Sequence, residues 1–193
     1  MATGEMVVAS ESSAAAADGF DPKFESLYRK HHAFVWRSVR RLGVPDGEVD
    51  DLVQEVFVVV HRRLGEFEGR SSITTWLFGI AYRVVRDHRR SAAARARREA
   101  LASVGRPPTE PEHKLQRAQA AQLLDQILDG LDEDQRSVFV MAEVVHMTAP
   151  EIAELTGAKL NTVYSRLRLA RRAFEQALAA WQAEHAGEAP WTN

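Results

Sequence analysis

The chain has 193 residues, no cysteine and a formal net charge of −2, with 25 Lys and Arg against 27 Asp and Glu. Without cysteine there is no disulfide, no thiolate metal site and no cysteine nucleophile, and the length suits one domain or two small ones. No apolar run approaches the ~20 residues of a membrane span, and the N-terminus lacks a basic-then-apolar signal pattern, so a cytoplasmic protein is expected.

The near-neutral total hides blocks of charge. Twenty-one of the 25 basic residues are Arg, and seven of them fall between Arg83 and Arg98. An acidic group, Asp125, Asp129, Asp132, Glu133 and Asp134, stands against them. Charge gathered in this way speaks of partners more than of fold.

Residues 1–19, rich in Ala, Ser, Gly and acids without helical periodicity, are expected to be a disordered tail. Asp21-Pro22 opens a first helix, Asp as cap and Pro at the first helical position, and its stripe of Phe24, Leu27, Tyr28, His31, Val35 and Val39 ends near Gly43. After the turn Pro45-Asp46-Gly47, a second helix of about 48–64 carries Leu52, Val53, Val56, Phe57, Val60 and Leu64 on one side. Asp51, Gln54, Glu55, Val58 and Arg62 fall on the other. A loop, 65–72, leads to Ser72, the expected cap of a third helix over about 73–90. There Trp76, Leu77, Ile80, Ala81, Val84 and Val85 repeat the stripe while Arg83, Arg86, Arg89 and Arg90 accumulate. Trp76 shares the buried stripe with Ile80 and is expected in the core.

Residues 93–117 hold Ala-Arg repeats followed by Gly105, Pro107, Pro108 and Pro111, which prevent one continuous helix and mark a linker. Its first part can extend the third helix. A second helical unit begins near 117 with Leu123, Leu124, Ile127, Leu128 and Leu131, and Asp132 reads as the cap of a further helix. Thr148-Ala-Pro-Glu151 has capping-box form, Gly157 suits a left-handed turn, and a last helix starts near Asn161. Val163, Leu167, Ala170 and Phe174 line its inner face, and no acid occurs between Ala158 and Ala173. A bare cationic helix after a tight glycine turn suits insertion into a DNA major groove, where an acid would repel phosphate.

Two stretches carry a family resemblance. DLVQE, the FxGRSSxxTWL run and the trailing DHRR resemble region 2 of sigma-70 family transcription initiation factors, and LDEDQRSVFVMAEVVHMTAPEIAELTGAKLNTVYSRLRLARRAF resembles region 4. They occur in the family's order, and nothing between them fits a region 3, which places the likeness in the compact extracytoplasmic-function group. The expected fold is all-α: a region 2 unit over 20–92 and a region 4 helix-turn-helix over 118–180, joined by a flexible linker, with a tail at 181–193.

The resemblance implies core RNA polymerase docking by Asp51, Gln54 and Glu55. It implies −10 DNA contacts by the loop residues Phe67, Gly69, Arg70, Ser71 and Ser72 together with Arg83, Arg86, Arg89 and Arg90. For the −35 element it implies Tyr164, Ser165 and Arg168 at base edges, with Thr162, Arg166, Arg171 and Arg172 nearer phosphate. Asn161, Tyr164 and Leu169 depart from the family's GTVKSRLxRAR pattern, and Arg83 stands where Asn is common, so the preferred bases are expected to differ. An anti-sigma factor is the further partner implied. No cofactor is expected, the seven His show no metal-ligand spacing, and no nucleophile–base set or phosphate loop points to an enzyme. The alternatives are a stand-alone helix-turn-helix regulator and a helical scaffold whose charge blocks serve protein contacts.

Overall fold

A computed structural model describes residues 22–99 and 117–184. The tail at 1–19, the Asp21 cap and the prolines of the linker lie outside the described residues. The described residues form helices joined by short turns, with no strand among them: α1 Pro22–Arg41, α2 Asp46–Arg63, a 3₁₀ turn Leu64–Glu66, α3 Ile73–Glu99, α4 Arg117–Asp129, α5 Glu133–Phe139, α6 Ala149–Thr156 and α7 Leu160–Glu184. One π-helical turn, Val140–Val144, continues α5.

The three N-terminal helices bury the stripes read from the sequence. Val35, Val39, Leu42, Val49, Leu52, Val56, Val60, Leu77, Phe78 and Ala81 are all 2% exposed or less, an aliphatic core into which α1, α2 and α3 each contribute a face. Ser38 is buried among them, and its hydroxyl donates to the Phe34 carbonyl at 2.8 Å, which removes the cost of an unpaired polar group. Gly43 ends α1 at φ +88°, a left-handed position that other residues adopt at a cost. No side chain caps α2 at Pro45. Its acids in the first turn and His61, Arg62 and Arg63 in the last turn instead offset the helix dipole.

The C-terminal helices rely more on their ends. The Asp132 carboxylate accepts from the Gln135 N–H at 2.8 Å and starts α5. Thr148 and Glu151 form the reciprocal capping box of α6, and Gly157 closes that helix at φ +74°. Val163, Leu167 and Ala170 of α7 are buried, and the Phe174 ring stacks on Phe139 with centroids 5.0 Å apart.

α3 runs nine residues past the expected end at 90, because the Ala-Arg repeat consists of strong helix formers. α7 likewise reaches Glu184. The two helical units, expected to be joined only by a flexible linker, also meet directly: Arg40 pairs with Asp129 at 3.2 Å and Arg41 with Asp125 at 3.3 Å.

Candidate nucleic-acid interface

The acidic face of α2 is open. Asp51, Gln54 and Glu55 are exposed one helical turn apart, beside Val58, which is 46% exposed. Asp51, Gln54 and Val58 border a groove of about 750 Å³ between α1 and α2. Aromatic rings form its floor: Tyr28 lies 4.6 Å from Phe57 between centroids, and Phe24 meets His61 edge-on at 4.8 Å. The sequence placed Phe24 and Tyr28 on a buried stripe and missed this lining. Tyr28 is in fact 40% exposed. The signal lay in two aromatic pairs one turn apart, Phe24 with Tyr28 and Phe57 with His61, which face each other only once the helices have paired. On the groove's rim the Trp36 indole N–H donates to Asp50 at 2.9 Å.

The loop before α3 divides into anchored and free groups. Phe67 is half-buried, its ring 5.2 Å from that of Trp76, so it covers the start of α3. Ser72 is committed to capping: its hydroxyl accepts the Thr75 N–H at 3.0 Å. Gly69 takes φ +72° with open space where a side chain would project, so its freedom serves the turn. Glu68, Arg70 and Ser71 are exposed, and Arg70 pairs with Glu68 at 2.9 Å.

Arg83 and Arg90 project from α3 into solvent. Arg86 lies over the Tyr82 ring, 5.9 Å from its centroid. Arg89 turns inward, donating to the Leu42 carbonyl and lying 2.7 Å from Glu133. The four arginines therefore do not form one open strip.

In α7, Tyr164 (53% exposed), Ser165, Arg168, Leu169 and Arg172 stand on the outer face. Thr162 is half-buried. Ser165 donates to the Thr162 carbonyl at 2.9 Å. Two arginines are engaged, Arg166 with Asp134 and Arg171 with Glu143 at 2.8 Å. At the start of α6, the helix before α7, the capping box holds the Glu151 carboxyl below its ordinary pKa, first through the Thr148 N–H and then through the Thr148 hydroxyl.

The family models for sigma-70 region 2 and sigma-70 region 4 match residues 27–95 and 121–174. The RNA polymerase sigma factor NccH of Alcaligenes xylosoxydans xylosoxydans is 30% identical over 165 residues, covering 81% of this chain and 87% of that protein. The chain belongs to the sigma-70 family. Its relatives place it in the extracytoplasmic-function group: the ECF sigma factor SigC of Mycobacterium tuberculosis is 30% identical across 82% of this chain and 84% of its own. Among solved structures, CnrH in complex with the cytosolic domain of CnrY superposes with a TM-score of 0.55 at 26% identity, over 86% of this chain and 93% of that one. The sigma factor RpoE with the anti-sigma factor NepR from Bartonella quintana shares the fold at a TM-score of 0.65 and 18% identity, over 82% and 98% of the two chains.

As a sigma factor the protein directs transcription initiation. Both regions match in order along one chain, which does not favour a stand-alone regulator. Among the described residues no helix is long and apolar enough to cross a membrane, and no His, Asp and Glu group could hold a metal.

Proposed function

We infer that this sigma factor docks on core RNA polymerase through Asp51, Gln54 and Glu55. The observation that carries this is the uncovered acidic face of α2, with exposed Val58 and the aromatic groove at its side. A basic helical surface on the polymerase complements it, with apolar contact to hold the register. The working units are residues 20–92 and 118–180. Bond formation in RNA belongs to the polymerase, and the protein acts on DNA in the cytoplasm.

The loop Phe67, Gly69, Arg70, Ser71 and Ser72 receives an unstacked −10 base, an extrusion costing a few kcal/mol. Arg83, Arg86, Arg89 and Arg90 hold the neighbouring backbone. Phe67 and Ser72 shape this pocket, since one covers Trp76 and the other caps α3. Exposed Arg70 and Ser71 reach the base. In α7, Tyr164, Ser165 and Arg168 address −35 base edges, while Thr162, Arg166, Arg171 and Arg172 serve phosphate. By similarity to CnrH, which is seen with the cytosolic domain of CnrY, an anti-sigma factor is a further partner.

Reconstituted transcription on a promoter library tests this reading. Core polymerase plus this chain initiates on a defined promoter set, and exchanging loop 66–72 changes the −10 base selected without altering −35 selection. An unchanged −10 preference after the exchange removes the pocket assignment.

A further inference from the structure

Among the described residues five large apolar side chains stand exposed, and three of them, Leu160, Tyr164 and Leu169, lie on α7. The buried stripe of that helix is Val163, Leu167 and Ala170, at i, i+4 and i+7. Ser165, Leu169 and Arg172 repeat the spacing two residues on, about 200° around the helix at 3.6 residues per turn. Leu169 is therefore the middle residue of the stripe turned away from the core, and it is 45% exposed.

The surroundings of Leu169 suit DNA. Arg168 beside it and Arg172 one turn on are exposed, whereas Arg166 and Arg171 are held by Asp134 and Glu143. No acid occurs between Ala158 and Ala173, so the charge this stretch supplies is all positive and complements phosphate. One turn earlier, the Ser165 hydroxyl donates to the Thr162 carbonyl at 2.9 Å, which directs its proton back to the helix. The strip flanked by the two free arginines thus has an apolar centre.

In the major groove adenine, guanine and cytosine present only hydrogen-bonding groups, and thymine alone adds a methyl. A leucine over a cytosine amino group or a purine edge strips water from polar atoms and returns no hydrogen bond. Over thymine it buries its own apolar surface together with the methyl. Arginine is common at this place in the family pattern, so the family likeness gives Leu169 no role.

We propose that Leu169 is a specificity-determining residue that selects thymine at one position of the −35 element by packing on its 5-methyl group. This rests on the assignment of α7 to −35 DNA given above. The contact attracts the methyl and excludes the amino group, so preference at that position runs thymine, then uracil, then cytosine.

The test uses core polymerase reconstituted with the full chain and a promoter library randomised over the −35 segment. One position is expected to select thymine. Replacing that thymine by deoxyuridine, which lacks only the methyl, is expected to weaken holoenzyme binding about fourfold, the ~0.8 kcal/mol of one buried methylene. Leu169→Ala is expected to bind the two DNAs alike. Leu160→Ala trims a similarly exposed leucine outside the stripe and keeps the fourfold difference. Leu169→Gln, polar and of similar length, is expected to lose the difference as the alanine variant does, and it decides the matter if that variant loses helicity. A −35 element with no selected thymine, or with one indifferent to its methyl, overturns the proposal. A methyl effect that survives in Leu169→Ala belongs to another residue and overturns it too. Equal losses for Leu169→Ala on every −35 sequence set Leu169 against the polymerase and not against a base, which also overturns it. These three outcomes leave α7 on the −35 element, whereas a parent holoenzyme with no −35 preference strikes the assignment of α7 itself.

Discussion

The two halves of this protein hold their functional surfaces in place by different means. The N-terminal unit builds a deep aliphatic core from three long helices, and that core carries α2 and the loop before α3. In the C-terminal unit the helices before α7 are short, and α6, which leads into α7, is fixed at its ends by the Thr148–Glu151 capping box and the left-handed Gly157. The first site tolerates change at its surface and is sensitive in its core. The second is sensitive at helix ends as well. A long helix already satisfies most of its own backbone, whereas an eight-residue helix such as α6 leaves as many polar groups at its ends as within it.

The comparison breaks most easily in the core. Phe78 is fully buried, and Phe78→Ala is expected to cost roughly 3–5 kcal/mol through lost transfer and the cavity left behind. Urea unfolding should show the loss in the N-terminal unit, with core binding failing as a consequence. If the C-terminal unit melts at the same midpoint, the halves are one cooperative body and the contrast drawn above dissolves.

At the α2 surface, Asp51→Arg with Glu55→Arg is expected to weaken core polymerase binding by about a hundredfold, within the ~2–5 kcal/mol seen when a paired interfacial charge is lost. Circular dichroism should be unchanged, since both residues are exposed. Retained affinity would remove the docking face. Association and dissociation rates should be measured separately, because charges at a rim act mainly on the former.

On α7, Arg168→Ala should cost about 1–3 kcal/mol on the preferred −35 sequence and relax one base position. Arg172→Ala should instead weaken matched and mismatched sites alike and lower the salt slope by about one. Both side chains are exposed, so neither change should alter stability. Equal losses on both DNAs for both variants would erase the distinction between base and phosphate contacts.

The smallest effect sharpens the contrast between the halves. Thr148→Ala removes the cap of α6 and is expected to cost about 1 kcal/mol of stability. Because Glu151 has its folded pKa depressed, the box contributes fully at neutral pH, above the unfolded carboxylate range, and its contribution is lost as pH falls through the folded value. Glu151→Gln should flatten that acid limb in thermal melts. A limb unchanged by the substitution would mean that other carboxylates carry it.

Much of this was legible in the residues. Helix stripes from Leu52 to Val60 and from Leu77 to Val85 repeat at helical spacing, and the caps Ser72, Asp132 and Thr148 are local devices whose partners lie three residues away. Gly157 announced its turn because a left-handed backbone is a local demand. The acidic face of α2 followed from the same arithmetic. Other features were not legible. Phe67 read as a loop residue, and its contact with Trp76 forms only once the loop packs on α3. The aromatic groove needed α1 and α2 to be paired before Tyr28 could meet Phe57.

The amino-acid order by itself determined the helices, the caps of α3, α5 and α6, the two family regions and most of the face each helix turns inward, because those depend on contacts within about four residues and on a repeat near 3.6. Tertiary structure alone decided which arginines are free. Arg83, Arg90, Arg168 and Arg172 remain in solvent, while Arg89, Arg166 and Arg171 are taken by Glu133, Asp134 and Glu143. A row of like charges is identical along the chain whether it faces water or an acid from another helix. Only the packing that brings α5 between α3 and α7 distinguishes the two.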